Sequence, residues 1–150
     1  MPERKTIERA RQAEKQGKSA STQAGEFVRE EIEHIRQGRH GARSTKQAIA
    51  IGLSKARRAG VKLAPPEKGS VSERTRRKTV RDYKMAGSGR SRNPSLKRAR
   101  ATSRALKRET RATASKEALS KQATSAAHRR SRAQRSRTGR KAARTRARNR

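Results

Sequence analysis

The chain has no cysteine and no tryptophan, and Phe27 and Tyr83 are its sole phenylalanine and tyrosine. Without cysteine there are no disulfides, no thiolate nucleophile and no Cys-ligated metal. With so few rings there is no aromatic pattern for stacking single-stranded RNA, and none of the large apolar anchors that a membrane-surface helix needs. Long apolar runs are missing too: the longest, Ala48 to Leu53, is far too short to span a bilayer. Met1-Pro2-Glu3-Arg4-Lys5 leads into no apolar stretch, so no secretory signal is expected and the protein is expected to stay in the cytoplasm. Acid is also scarce, with 12 Asp and Glu among 150 residues.

What the chain does have is positive charge. Its 44 Lys and Arg give a formal net charge of +32. Repulsion of that size works against a compact state, whereas a polyanion turns it into binding energy by releasing condensed counterions. Nucleic acid is therefore the expected partner, with membrane excluded by the missing anchors. Arg outnumbers Lys by 30 to 14; its planar fork binds phosphate bidentately, although a GC-rich genome enriches Arg codons by itself. The charge is graded along the chain. Residues 1–83 hold 21 basic and 10 acidic side chains, residues 84–150 hold 23 and 2, and Ala86-Gly87-Ser88-Gly89 between them has a linker composition.

Hydrophobic residues make up 28% of the chain and many are alanine, so most of it is expected to lack the burial that offsets ordering entropy. The fold expected is mainly α: a short helical hairpin, weak flanking helices and a long disordered basic C-terminal tail. Residues 1–20 read as a basic arm with a short helix carrying Ile7, Ala10 and Ala13 and ending at Gly17. Residues 21–63 form the hairpin. Its first helix is capped by Ser21 or Thr22, shows Ala24, Phe27, Val28, Ile32 and Ile35 at helical spacing, and stops at Gly38. Ser44-Thr45-Lys46-Gln47 is a capping box opening the second helix, with Ile49, Leu53 and Ala56 on one face and Gly60 at its end. Residues 64–86 read as a linker through Pro65-Pro66, then a charged helix opened by Ser70-Val71-Ser72-Glu73. Residues 87–150 read as the Arg/Ala/Ser-rich disordered tail, with parts of Ser95–Ala127 expected to turn helical once phosphates neutralise the repulsion, because Ala and Arg favour helix.

A hairpin of this size usually needs outside support. Ile51 points away from Ile49 and Leu53, as either a lone exposed residue or a second contact surface for a homodimer. Glu26, Glu30 and Glu33 share one stripe of the first helix, as either a solvated face or a docking stripe for basic segments. Glu31 lies nearer the apolar edge, within reach of an Arg or Lys. Glu31-Ile32-Glu33-His34 has the E-x-x-H spacing of di-iron bundles. It occurs once, so it reads as an acidic helix face that only a dimer could complete, and no metal or cofactor is expected.

No constellation for catalysis surrounds His34, His40 or His128, and no enzyme activity is expected. No device for reading base sequence is evident either, although Lys46, Gln47, Lys55, Arg57 and Arg58 would serve a helix-turn-helix. The expected phosphate contacts are Arg98, Arg100, Arg104, Lys107, Arg108, Arg129, Arg130, Arg132, Arg135, Arg137, Arg140, Lys141, Arg144, Arg146 and Arg148 in the tail, with Arg57 and Arg58 in the hairpin. Such contacts give affinity without sequence preference.

The segment Ser21–Ile32, followed by Gly41-Ala42-Arg43-Ser44 and Lys46-Gln47-Ala48-Ile49-Ala50-Ile51-Gly52-Leu53-Ser54-Lys55-Ala56, resembles a family of small basic bacterial and phage proteins of unknown function. Members are sometimes labelled plasmid stabilisation or DNA-binding proteins. The resemblance covers residues 1–65 and implies a bacterial cytoplasmic setting, with no mechanism attached. The tail resembles, in composition, the arms of bacterial histone-H1-like proteins. The leading expectation is a nonspecific DNA-binding protein of the nucleoid or a plasmid. The alternatives are an RNA- or ribosome-associated protein, and a protein-interaction module with a basic anchor.

Overall fold

The computed structural model describes residues 2–69, 71–87 and 95–148, and among these every regular element is helical. Ser70, Ser88 and Gly89, named above in a capping box and a linker, lie outside the described residues. The chain divides into two compact units, Met1–Ala114 and Ser115–Arg150.

The first unit is built on the hairpin. Helix α2 (Ala20–Arg36) is capped two residues before the first expected cap, because Ser19, not Ser21 or Thr22, accepts from the Thr22 backbone N–H. Helix α3 (Thr45–Arg58) opens as the sequence indicates, with Ser44 Oγ accepting from the Gln47 N–H. The Gln47 side chain closes the motif one residue early, taking the Arg43 N–H at 2.7 Å. Gly38 and Gly60 follow the two helix ends at φ +74° and +96°, a left-handed conformation that glycine adopts without penalty.

The seam between the helices keeps only part of the expected face: Ala56 is fully buried and Leu53 packs against the core from its edge. Ala48, Gly52 and Ala56 form the buried line of α3, while Ile49 and Leu53 flank it half-buried. The cause is a close approach at mid-helix: a Cβ on Gly52 would stand 2.6 Å from the Val28 Cα. Small residues bring the backbones together, and Phe27, 1% exposed, fills the space beside them with Ala24, Ala56 and Val61. Ile51 is half-buried and stands outside this cluster.

The chain itself supplies the hairpin's support. Helix α1 (Arg4–Lys15) packs on α2 and buries Thr6, Ala10 and Ala13, while α4 (Glu73–Gly87) packs on α3. The Ser72 hydroxyl accepts from the Thr75 N–H to start α4. Further support comes from the region expected to be a tail. After α5 (Leu96–Lys107), the chain lies along the hairpin loop, where Gly41 N–H donates to Leu106 O at 2.8 Å and Ala42 N–H to Thr110 O at 3.1 Å. Arg36 Nε donates to Ala114 O, and Thr45 Oγ1 to Thr113 O. Gly41 is required here, since a Cβ would collide with the Glu109 carbonyl. Ala114, at the end of a 3₁₀ turn (Ala112–Ala114), is fully buried.

The second unit holds α6 (Lys116–His128) and α7 (Arg132–Arg148). The expected long disordered tail is therefore incorrect: the C-terminal region is helical. It has no apolar stripe and neither helix buries a residue, so periodicity gave no sign of it. The signal lies in its composition and caps. Alanine and arginine are intrinsically strong helix formers, and serine stands at each start: Ser95 accepts from the Arg98 N–H, Ser115 from Ala118 and Ser131 from Gln134. At Ser131 the box is reciprocal, because Gln134 Oε1 accepts the Ser131 N–H.

Candidate nucleic-acid interface

Part of the scarce acid of the first unit is used inside it. Glu31 is completely buried, with Lys55 Nζ 2.7 Å from its Oε2, realising the expected pairing with a nearby cation. Glu30, one of the three glutamates read as an exposed stripe, is buried: its oxygens accept from the Glu3 backbone N–H and from Lys55 Nζ. Glu26 is half-buried with Arg9 of α1 at 3.5 Å. Glu33 alone of the three is exposed, accepting from Gln37. The stripe therefore docks the chain's own α1 and α3. At the N-terminus, hydrogen bonds from His34 and Arg39 hold the Glu3 carboxyl below its ordinary pKa.

Much of the imagined helix-turn-helix surface is also engaged internally. Lys55 is bound to the two glutamates and Gln47 to the cap. Arg57 is buried, its Nε donating to Leu63 O at 3.4 Å. Burial pushes the Arg57 guanidinium below its ordinary pKa, and Asp82 opposes the shift. Lys46 and Arg58 remain exposed.

The exposed cations gather in three places. A cleft of about 670 Å³ in the first unit is lined by Arg39, Arg58, Lys78 and Arg98, with Ser54, Thr102 and Ser103 as hydroxyl donors and Asp82 as the single acid. Arg58 and Arg98 are among the sequence-expected contacts; Arg39 and Lys78 are not, and only the packing of α4 and α5 brings them there. On α4 itself, Arg74, Arg77, Lys78 and Arg81 line one surface together with Glu73, whose Oε1 is 3.4 Å from Arg77 Nε. The i, i+3, i+4, i+7 spacing of the four cations sets them on one helical face, a signal that was available in the sequence.

In the second unit, α7 is 17 residues long and exposed throughout. At about 100° per residue, Arg137, Arg140, Lys141, Arg144 and Arg148 share one side of it, and Arg132, Arg135 and Arg146 the other. A disordered tail would have no such sides. Arg100, Arg104, Lys107 and Arg108 are exposed on and just after α5, and Arg129 and Arg130 between α6 and α7. Among the described residues, no ion pair engages a cation of α5.

Fold and surface thus define, among the described residues, a small helical protein with ion pairs inside its hairpin core and a strongly cationic exterior. Residues 3–68 match a family described as a family of unknown function (DUF6496), nearly the stretch over which the resemblance was read from sequence. No curated protein and no solved structure matches the chain. Among the described residues, no helix is long and apolar enough to cross a membrane.

Proposed function

We propose that this is a sequence-nonspecific nucleic-acid-binding protein, with duplex DNA as the preferred polymer and a nucleoid or plasmid as its setting. The observation that carries the reading is the separation of charge. Glutamates 3, 26, 30 and 31 are met by cations within the fold, whereas the cleft, α4, α5 and α7 present arginine and lysine outward. Exposed guanidinium groups along a helix match a phosphate backbone and do not discriminate between bases. The role is binding, not catalysis.

A competition experiment tests this reading. Labelled duplex DNA bound by the full chain at physiological salt is challenged with unlabelled duplex and with structured RNA. Duplex is expected to compete at the lower concentration, and scrambling its sequence to change nothing. Preferential displacement by RNA would overturn the choice of polymer, and failure to bind either would end the proposal.

A further inference from the structure

We propose that Glu31, His34 and His40 form a binding site for a divalent first-row transition ion of the zinc class. Glu31 and His34 stand one turn apart on α2, the E-x-x-H spacing seen in the sequence. That spacing seemed to need a second copy of the chain. Instead the turn after α2 folds back and supplies His40 from the same molecule. One donor atom from each of the three residues lies within 4.8 Å of the others.

Several features go beyond mere proximity. His40 Nε2 is 3.4 Å from Glu31 Oε1, about the separation of two ligands around a tetrahedral ion with bonds of roughly 2.0–2.2 Å. His40 Nδ1 lies 3.0 Å from the Gly41 carbonyl oxygen. A proton held there directs the Nε2 lone pair inward, as the outer partners of metal-bound histidines do. Glu31 is 0% exposed, and neither of its oxygens has a hydrogen bond of acceptable geometry, even with Lys55 Nζ at 2.7 Å from Oε2. A monodentate carboxylate would use Oε1 for the ion and keep Oε2 on the ammonium. His34 Nε2 is 2.9 Å from Arg39 Nη1 and 3.0 Å from Glu3 Oε1, so an ion held through this nitrogen would displace the guanidinium and release the Glu3 contact.

The local charge is favourable in a chain that is otherwise so cationic. Glu3, Glu30 and Glu31 converge here against Arg39 and Lys55, and imidazole ligands would add donors without adding charge. Two imidazoles and one carboxylate are the protein ligands of many open zinc sites. His40 also lines the basic cleft, so the ion would sit beside the proposed phosphate contacts. The site does not depend on that reading, because its test uses no polynucleotide.

The full chain, freed of metal with chelator, is titrated with Co²⁺ and then Zn²⁺ by calorimetry and visible absorption. One equivalent is expected to bind, giving the intense cobalt bands of a four- or five-coordinate site, which zinc then bleaches. His34→Gln and His40→Gln are each expected to weaken zinc binding more than about 10-fold, a loss that even outer partners cause. His128→Gln should leave it unchanged. In parallel, the ring resonances of His34 and His40 in the unmutated protein should shift with zinc while those of His128 stay put, a readout that does not depend on the variants folding. Absence of saturable binding, or zinc shifts confined to His128, would overturn the proposal and leave the three residues as an ion-pair network.

Discussion

The ammonium of Lys55, on α3, lies 2.7 Å from the Oε2 of Glu31, a carboxylate on α2 with no solvent exposure. This pair crosses the hairpin and places a charge where solvent cannot reach it. Removing one partner of such a pair strands the other, typically at about 3–5 kcal/mol. Lys55→Met is therefore expected to destabilise the first unit by about 3 kcal/mol. Glu31→Met combined with Lys55→Met should be milder than that single change. Urea denaturation followed by circular dichroism measures both, and a Lys55→Met variant within about 0.5 kcal/mol of the parent would show that the pair is not desolvated.

Gly52 and Gly139 give opposite expectations for the same substitution. Both lie inside helices, where alanine is better than glycine by about 1 kcal/mol. At Gly139 nothing lies within 4 Å of an added Cβ, so Gly139→Ala should raise the helicity of α7. At Gly52 the added carbon would meet the Val28 Cα at 2.6 Å and the Phe27 carbonyl oxygen at 3.0 Å. Backbone cannot swing aside as a side chain can. Gly52→Ala should lower stability by about 1–3 kcal/mol, and an equal or higher melting temperature would mean that the helices sit farther apart.

The contrast between these glycines also shows what was legible in the sequence. Helix ends were, because caps and terminal glycines act locally: Ser44, Gly38 and Gly60 stand where their chemistry indicates. Depth was not. Ile49 and Leu53 looked like the buried face by size, but contact between two helices is set by how closely their backbones approach, and the Ala48, Gly52 and Ala56 line allows the closer contact. Glu30 reads as part of a solvated or docking stripe because no reading of α2 alone includes the α1 terminus and Lys55, whereas Glu31, at the apolar edge, is expected to pair with a cation and does. His40 likewise joins Glu31 and His34 only through the fold of the loop. In α7 the error ran the other way. Its lack of an apolar stripe hides a helix that caps and propensity carry by themselves.

Glu117 gives the second unit a pH dependence. Its carboxylate is held below the ordinary value of 4.5 by the backbone N–H at the start of α6 and by Ser115. A carboxyl lowered in the folded state stabilises above its unfolded pKa, and loses that contribution as pH falls through the folded value. Protection of the first-turn amides of α6 against hydrogen exchange should therefore decline as acid is added below about pH 4.5, and Glu117→Gln should remove most of that decline. A decline equally strong in the variant would assign it to another group.

Salt dependence distinguishes a helical α7 from a basic tail acting through total charge. If about ten phosphates are neutralised, log K falls against log salt with a slope near −9; a slope shallower than about −3 would exclude this region as the main contact. Changing Arg137, Arg140, Lys141 and Arg144 together to Gln removes most of one side of α7, whereas changing Arg132, Arg135, Arg146 and Arg130 removes the same charge from elsewhere. A flexible tail re-forms its contacts with whichever cations remain, so the two sets would weaken binding equally. A helix can lay only one side against a duplex at a time. The first set is therefore expected to flatten the slope by about 3–4 and the second by clearly less. Filter binding across a salt series reads both, and equal losses would return α7 to the status of an unstructured arm on DNA.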